Sequence, residues 1–257
     1  MKITIVTISY NSASTIGKTI QSVRKQKEQY SEIEYVIVDG ASTDGTLDII
    51  KENEDVVDIW ISERDKGISD AFNKGINIAT GKYICLLNSD DELLPNAVIS
   101  IVNSAKEDPD VIHGNILARD EKGFCKVKKP NCDYSLLMTK GMYLNHPGMF
   151  IKKSAYERWG GYKEEFRCAM DRELLARFVA GGAVFKYVDY ELALFQSGGE
   201  STKNFTKHAM PESRKISLSY GVPIRTVEIE TLKKTVLYFG SITKKRLLWT
   251  IKGRQKE

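Results

Sequence analysis

The first half of this chain constrains its fold most, because short apolar runs alternate there with helix-period segments and two of the runs end directly on acids. Lys2–Ile8, Glu34–Val38, Val56–Ile61 and Lys82–Leu87 read as strands. Between them, Ile16, Ile20 and Val23 recur at helical spacing behind Ser12 or Ser14 as N-cap. Leu47 and Ile50 follow the capping pair Thr43-Asp44, and Gly67–Ala79 is helical in pattern. Near-continuous apolar strands separated by helices of about 10–15 residues predict βαβ units and a mostly parallel, Rossmann-like sheet covered on both faces. In such α/β sheets ligands bind beyond the carboxyl ends of the strands. Here one run ends on Asp39 and another on Asn88-Ser89-Asp90-Asp91.

The second half is less regular. A helix carrying Val98, Ile101 and Val102 follows Pro95, and Val111–Ile116 reads as a strand. Arg119–Lys129 has the pattern of a hairpin turning at Glu121-Lys122-Gly123. Met149–Lys152 is a further strand, and Asp171–Ala180 an amphipathic helix burying Leu174, Leu175, Phe178 and Val179. Ala183–Phe195 reads as a pair of short strands ending in Ser197-Gly198-Gly199, and the chain from about Asn204 is helical in pattern. A length of 257 residues suits one sizeable domain with an appendage, expected as residues 1–205 and 206–257.

Charge divides the chain at the same place. From Thr231 onward eight basic residues face the single acid Glu257, a net +7, so the overall +4 leaves −3 for residues 1–230. In that tail Leu232, Val236, Leu237, Phe239, Leu247, Leu248 and Trp249 interleave with the basic residues. Such a segment either packs its apolar stripe on the domain or lies on an anionic membrane surface. Cys85, Cys125, Cys132 and Cys168 lack metal-ligand spacing, which disfavours zinc. The start, MKITIVTISYNS, has no signal-peptide pattern, so a cytoplasmic chain, peripheral at the inner face of the membrane, is expected.

Adjacent carboxylates at a strand end repel unless something compensates them. Asp90 and Asp91 are therefore candidates for a hard divalent cation shared with substrate phosphates, although acids also cap helices and a helix beginning near Glu92 would explain them equally. Asp39, in VDGASTDGT, can accept from a base or ribose, with Gly40 permitting close approach; an Asx-turn explains it as well. Asp171 opens a helix, as a cap or as a general base. His146, in NHPGMF, sits where a loop reaches the sheet edge. The GxGxxG and GxxxxGK[ST] fingerprints are absent.

Taken together, Thr7–Asn11 (TISYN), Val38–Thr46 (VDGASTDGT), Ser62–Ile76 (SERDKGISDAFNKGI), Ala79–Asp91 (ATGKYICLLNSDD) and Met170–Arg177 (MDRELLAR) resemble glycosyltransferase family 2. The likeness spans about residues 1–200 and is nearest to bacterial members that build O-antigen, capsule or exopolysaccharide units, through SERDKGI, the Gly160-Gly161-Tyr162 turn and SGGES. The resemblance implies a GT-A fold and an inverting, metal-dependent hexosyl- or N-acetylhexosaminyltransferase using Mn²⁺ or Mg²⁺. It implies a nucleotide-sugar donor, by family habit a UDP-sugar, and a lipid-linked glycan acceptor. It places Thr7, Tyr10, Asn11, Asp39, Asp65, Lys66, Asn73 and Asp90 around the nucleotide sugar, Asp90 and Asp91 at the metal, Asp171 as base and His146 on the acceptor side. Asn88 replaces the first acid of the usual DxD pattern, and Met170 leaves Asp171 without a neighbouring acid. Two other classes are weighed. A nucleotidyltransferase would need a Gly-rich basic N-terminal loop that ISYNSAST lacks, and a non-catalytic relative would be expected to lose the acids. Nucleic-acid binding has no supporting fold signature.

Overall fold

The computed structural model describes residues 1–120, 122–197 and 204–253, with 241–253 described by backbone alone. The strands and helices β1 (Ile3–Ser9), α1 (Ile16–Gln29), β2 (Ile33–Asp39), α2 (Thr46–Lys51), β3 (Ile59–Ser62), α3 (Ile68–Ile78) and β4 (Tyr83–Asn88) follow one another as the alternation predicts. β1 lies parallel to both β2 and β4, and β2 to β3. Every residue of β1 and β2 is buried, which is why those runs are largely apolar and why their polar members Thr4, Thr7, Ser9, Glu34 and Asp39 are hydrogen-bonded. Successive side chains leave on opposite faces. Ile3 and Ile5 pack with Ile16, Ile20 and Val23 of α1, while Val6 and Ile8 join Phe72 and Ile76 of α3.

The chain continues through β5 (Glu92–Leu93), α4 (Ala97–Ser104), β6 (Val111–Arg119), β7 (Cys125–Lys128), α5 (Ser135–Thr139), β8 (Met149–Lys152), α6 (Lys153–Trp159), α7 (Met170–Ala180) and β9 (Phe185–Gln196). Strand order is β3-β2-β1-β4-β8-β6-β9-β5, with β7 paired to β6. The β6–β9 pair is again parallel, and β8, β7 and β5 run antiparallel to their neighbours.

Three expectations change. Ala183–Phe195 forms one strand, β9, not two, because its pairing with β6 skips two residues between Val188 and Glu191. The slack is held by Asn115, whose side chain donates to Asp189 and accepts from the Tyr187 hydroxyl, each at 2.9 Å. β3 begins at Ile59 instead of Val56, since the Asp58 carboxylate first takes the Tyr35 N–H and the Lys27 ammonium. Helices α5 and α6, at five and seven residues, are too short to show a period in sequence.

Beyond β9 come α8 (Met210–Ser219) and α9 (Ile224–Gly253). The boundary expected near residue 205 puts α8 in the appendage, yet α8 is packed into the domain. Ile216 is buried in the core beside Leu174, and the Glu212 carboxylate accepts the backbone N–H groups of Arg167, Cys168 and Ala169 at the start of α7. Among the described residues no helix is long and apolar enough to cross a membrane. The SGGES element lies outside the described residues from Gly198 on.

Glu34 ties the amino edge of the sheet together. Its carboxylate accepts from the Thr4 hydroxyl at 2.6 Å and from the Thr80 N–H and hydroxyl at 2.7 and 2.6 Å, and pairs with Lys2 at 2.8 Å. Burial alone would raise this carboxyl, but Lys2 and the threonine donors outweigh it and hold it at about 2, against an ordinary 4.5. A carboxyl lowered in the folded state stabilises fully above its unfolded value and loses that contribution as pH falls through the folded one. The urea midpoint should therefore drop between about pH 6 and about pH 3. Glu34→Gln should lower the midpoint at the higher pH and flatten this dependence; an unchanged slope would remove Glu34 from the account.

Candidate active site

Parallel register brings the ends of β1, β2 and β4 level, with Ser9 opposite Asp39 and Ile8 opposite Asn88. A cavity of about 1180 Å³ opens at this edge. Tyr10, Asn11, Asp65 and Asp90 line it from the parallel half, and His146, Asp171 and Gln196 from the other. The sequence expectation of a site at the carboxyl edge is met.

The floor is held by a carboxylate that the cavity does not reach. Asp39 is fully buried. Its Oδ1 accepts from the hydroxyls of Ser9 and Ser42 at 2.9 and 2.5 Å, and its Oδ2 from the Ser42 N–H and the Ser62 hydroxyl, both at 2.8 Å. This is the Asx-turn reading of Asp39, extended to tie β1, β2 and β3 together, and it corrects the expectation that Asp39 faces the base or ribose. Thr7 is likewise buried beneath the cavity, accepting the Tyr35 hydroxyl at 3.1 Å. Gly40 does permit close approach, but by protein: a Cβ there would stand 2.6 Å from the Asp65 carboxylate and 3.3 Å from the Tyr10 ring. Asn11 adopts φ 48° and exchanges bonds with the β2 loop: its backbone N–H donates to the Ser42 hydroxyl at 2.8 Å, and its side-chain Oδ1 accepts the Thr43 N–H at 3.0 Å. Tyr10 is thereby left two-thirds exposed at the cavity mouth, a surface on which a base can stack.

Asp90 and Asp91 part company. Asp90 is exposed and lines the cavity. Asp91 is fully buried, with Oδ1 accepting the Gln196 N–H and Oδ2 the Asn88 amide, both at 3.1 Å. Burial, and then the charge of Asp90, push the Asp91 carboxyl up to about 8. Asp91 fastens β4 to β9 whereas Asp90 lines the cavity, so the two carboxylates do not face it as the pair that the sequence expects. Helix capping explains neither, since Glu92 begins β5 and α4 starts only at Ala97. Among the described residues no group of three or more His, Cys, Asp or Glu side chains could hold an ion by itself. One carboxylate beside a diphosphate still fits a hard cation that keeps substrate and water as its other ligands.

The opposite wall carries the second group. Asp171 Oδ1 is buried, makes no hydrogen bond among the described residues, and stands 3.5 Å from His146 Nε2. The Tyr162 hydroxyl lies 3.3 Å from the same nitrogen, and Phe72 packs on both rings with centroids 5.3 Å apart. Burial and then the charge of Asp171 hold the Tyr162 hydroxyl far above its usual range, so it stays protonated. Asn73 does not line the cavity; it grips the backbone N–H and carbonyl of Tyr162, each at 2.8 Å. Gly161 lets it in, because a Cβ there would lie 2.5 Å from Asn73 Oδ1. Arg177 completes the clamp by donating to the carbonyls of Trp159, Gly160 and Gly161. Lys66 points away from the cavity, 3.5 Å from Glu164.

Sequence reasoning missed Gln196 and the β7 lysines Lys126 and Lys128, which also line the cavity, and the contact of Tyr162 with His146. The period-2 spacing of those lysines was the available signal. Nothing local marks Gln196, whose place depends on Asp91.

A Rossmann-like sheet with this cavity and these two facing walls defines the GT-A class of glycosyltransferases. Residues 4–176 match the model of glycosyl transferase family 2, and the chain belongs to that family. An uncharacterized glycosyltransferase of Mycobacterium tuberculosis is 30% identical over 180 residues, covering 68% of each chain. A poly(ribitol-phosphate) beta-glucosyltransferase of Bacillus spizizenii is 32% identical over 161 residues, 60% of this chain but 25% of the relative. Among solved structures, S. aureus TarS 1–349 in complex with UDP-GlcNAc superposes with a TM-score of 0.66 at 17% identity, covering 93% of this chain and 73% of that one. The mannosyltransferase PcManGT of Pyrobaculum calidifontis, in complex with GDP-Man and Mn²⁺, gives 0.64 at 16% identity, covering 96% and 80%.

The division between the two acids is testable by stability. Asp91→Ala strands two buried donors and should cost on the order of 2–3 kcal/mol, whereas Asp90→Ala should stay within about 0.5 kcal/mol of the parent. Equal losses in urea titrations would contradict the separate roles.

Proposed function

We propose that this chain is an inverting hexosyl- or N-acetylhexosaminyltransferase. It moves a sugar from a UDP-sugar to a hydroxyl of a lipid-linked oligosaccharide during surface polysaccharide synthesis. The observation that carries this is Asp171: a buried carboxylate oxygen with no hydrogen-bond partner among the described residues, facing the same cavity as Asp90 from the opposite wall. Membership of the family supports transfer chemistry. The UDP-GlcNAc complex of TarS supports the donor class, and the Bacillus relatives named for poly(ribitol-phosphate) and teichuronic acid glycosylation support a surface-polymer acceptor.

The chemistry follows from the two walls. The donor lies with its base against Tyr10 and Asn11 and its diphosphate toward Asp90. An acceptor hydroxyl hydrogen-bonds Asp171 Oδ1 and attacks the anomeric carbon from the face opposite the leaving group. A C–O bond forms as the bond to the diphosphate oxygen breaks, with its electron pair leaving on the nucleoside diphosphate and the hydroxyl proton passing to Asp171. His146 and the neutral Tyr162 hold the carboxylate's orientation. A divalent cation, Mn²⁺ or Mg²⁺, would be held by Asp90 and would neutralise charge on the departing diphosphate.

In a transfer assay Asp171→Asn should lower turnover by about 10²–10⁴-fold while UDP binding survives. Chelator should abolish transfer in the parent enzyme and added Mn²⁺ or Mg²⁺ restore it. Full activity in Asp171→Asn removes the base, and full activity in chelator removes the cation.

The outer face of α9 supports a peripheral membrane location, since Ile229, Leu232, Val236, Leu237 and Phe239 are exposed along it beside Lys233. The rest of the basic stretch, from residue 241, has no described side chains. Truncation after Glu230 should abolish flotation with anionic liposomes; unchanged flotation removes the membrane role.

A further inference from the structure

A second cavity, of about 510 Å³, opens between α7, α8, α9 and the turn after α5. Asp171 and Met142 line both cavities, so the two meet at the residue read above as the base. Much of the inner wall is apolar, through Met142, Phe205, Met210 and Val227. Its charge is the unusual part. Arg172 is 2% exposed, yet among the described residues no carboxylate meets its guanidinium. Its N–H groups donate to the carbonyls of Leu137, Met138 and Ser213 and to the hydroxyls of Ser213 and Ser217, all neutral. Lys234 enters from α9 and donates to the Lys140 carbonyl.

Of the nearby acids, Asp171 and Glu230 line the same cavity, and the charge of Glu230 offsets only part of what burial and Arg172 do to Lys234. Glu173 is taken by Arg177 and Lys163, Glu212 by three backbone N–H groups, and Glu230 by Lys233. Burial lowers the Arg172 guanidinium to about 10, and burial followed by the charge of Arg172 lowers Lys234. Two desolvated cations that repel one another across a partly apolar cavity cost stability unless an anion joins them. A hydrogen bond from a desolvated ammonium to a phosphate oxygen is among the stronger ones available.

We propose that this cavity seats a phosphate group carried by the acceptor, bonded by Lys234 in the field of Arg172, so that an adjacent hydroxyl of the same molecule is presented to Asp171. The proposal rests on the reading of Asp171 as base and narrows the acceptor to a phosphate-bearing one, either a soluble polyol phosphate or a lipid phosphate headgroup.

The test is a thermal melt of the full chain, saturated with UDP and Mg²⁺ so that the donor diphosphate region is filled. Sodium phosphate is titrated against sodium chloride at matched ionic strength. Phosphate should stabilise the parent and Lys234→Arg, while Lys234→Met, which keeps the stem and drops the charge, should respond about tenfold more weakly. Without phosphate, Lys234→Met should melt close to the parent, since it removes a half-buried charge that Arg172 repels. No stabilisation beyond the chloride control, or an equal response in Lys234→Met, overturns the proposal. If UDP itself does not bind, the donor reading fails, and the Lys234→Met contrast without UDP still reports on this cavity. Repeating the titration with glycerol 3-phosphate and with phosphatidylglycerol in phosphatidylcholine vesicles separates the two phosphate sources, a Lys234-dependent response to either supporting the proposal.

Discussion

At the carboxyl edge of the sheet, Asp39 accepts four hydrogen bonds from Ser9, Ser42 and Ser62 and so joins the ends of three strands, as Glu34 and Thr4 join two of them at the other edge. A buried carboxylate is costly unless its oxygens are saturated, and here they are. With that edge tied, Asn11 can hold its left-handed turn, Tyr10 can stand out over the cavity, and Asp65 can lie against Gly40. Asp91 does the equivalent work between β4 and β9, joining the parallel half of the sheet to the half that carries the acceptor wall. The two buried acids tie the sheet around the cavity, which Asp90 and Asp171 line from opposite walls.

The acceptor wall depends on a different device. Its key loop, from Trp159 to Tyr162, has no regular structure of its own and is held from both sides, by Arg177 of α7 and by Asn73 of α3. Asn73 thereby holds Tyr162, and through it the neighbouring His146, without lining the cavity. A polar residue inside a nucleotide-site motif can act in this indirect way, and its residue type does not distinguish the two uses.

Much of the fold was legible. The alternation of apolar runs and helical spacing predicted β1 to β4 and their helices, because a strand buried on both faces must be apolar throughout. The hairpin of β6 and β7 and the strand β8 were marked by turn residues and β-branched runs. Helices α5 and α6 were not, being shorter than two turns. The length of β9 was misread because its slack residues, Asp189 and Tyr190, look like a turn, whereas Asn115 on the neighbouring strand holds Asp189 and Tyr187. Among site residues, the position of Asp90, Tyr10, Asn11, Asp65, His146 and Asp171 around one cavity followed from strand ends and motif order. The retreat of Asp39, Asp91 and Thr7 into the interior did not, since burial at a strand end depends on what packs over it.

The sequence by itself determined that this chain builds a parallel sheet with acids at its carboxyl edge, because hydrophobic period and strand punctuation are local properties. Only the tertiary structure decided which acids face the cavity. Adjacent residues such as Asp90 and Asp91 point to opposite sides of the backbone, and their environments come from β9, far along the chain. The same holds for Arg172 and Lys234, whose charges are 62 positions apart in sequence and meet only when α9 folds back over α7.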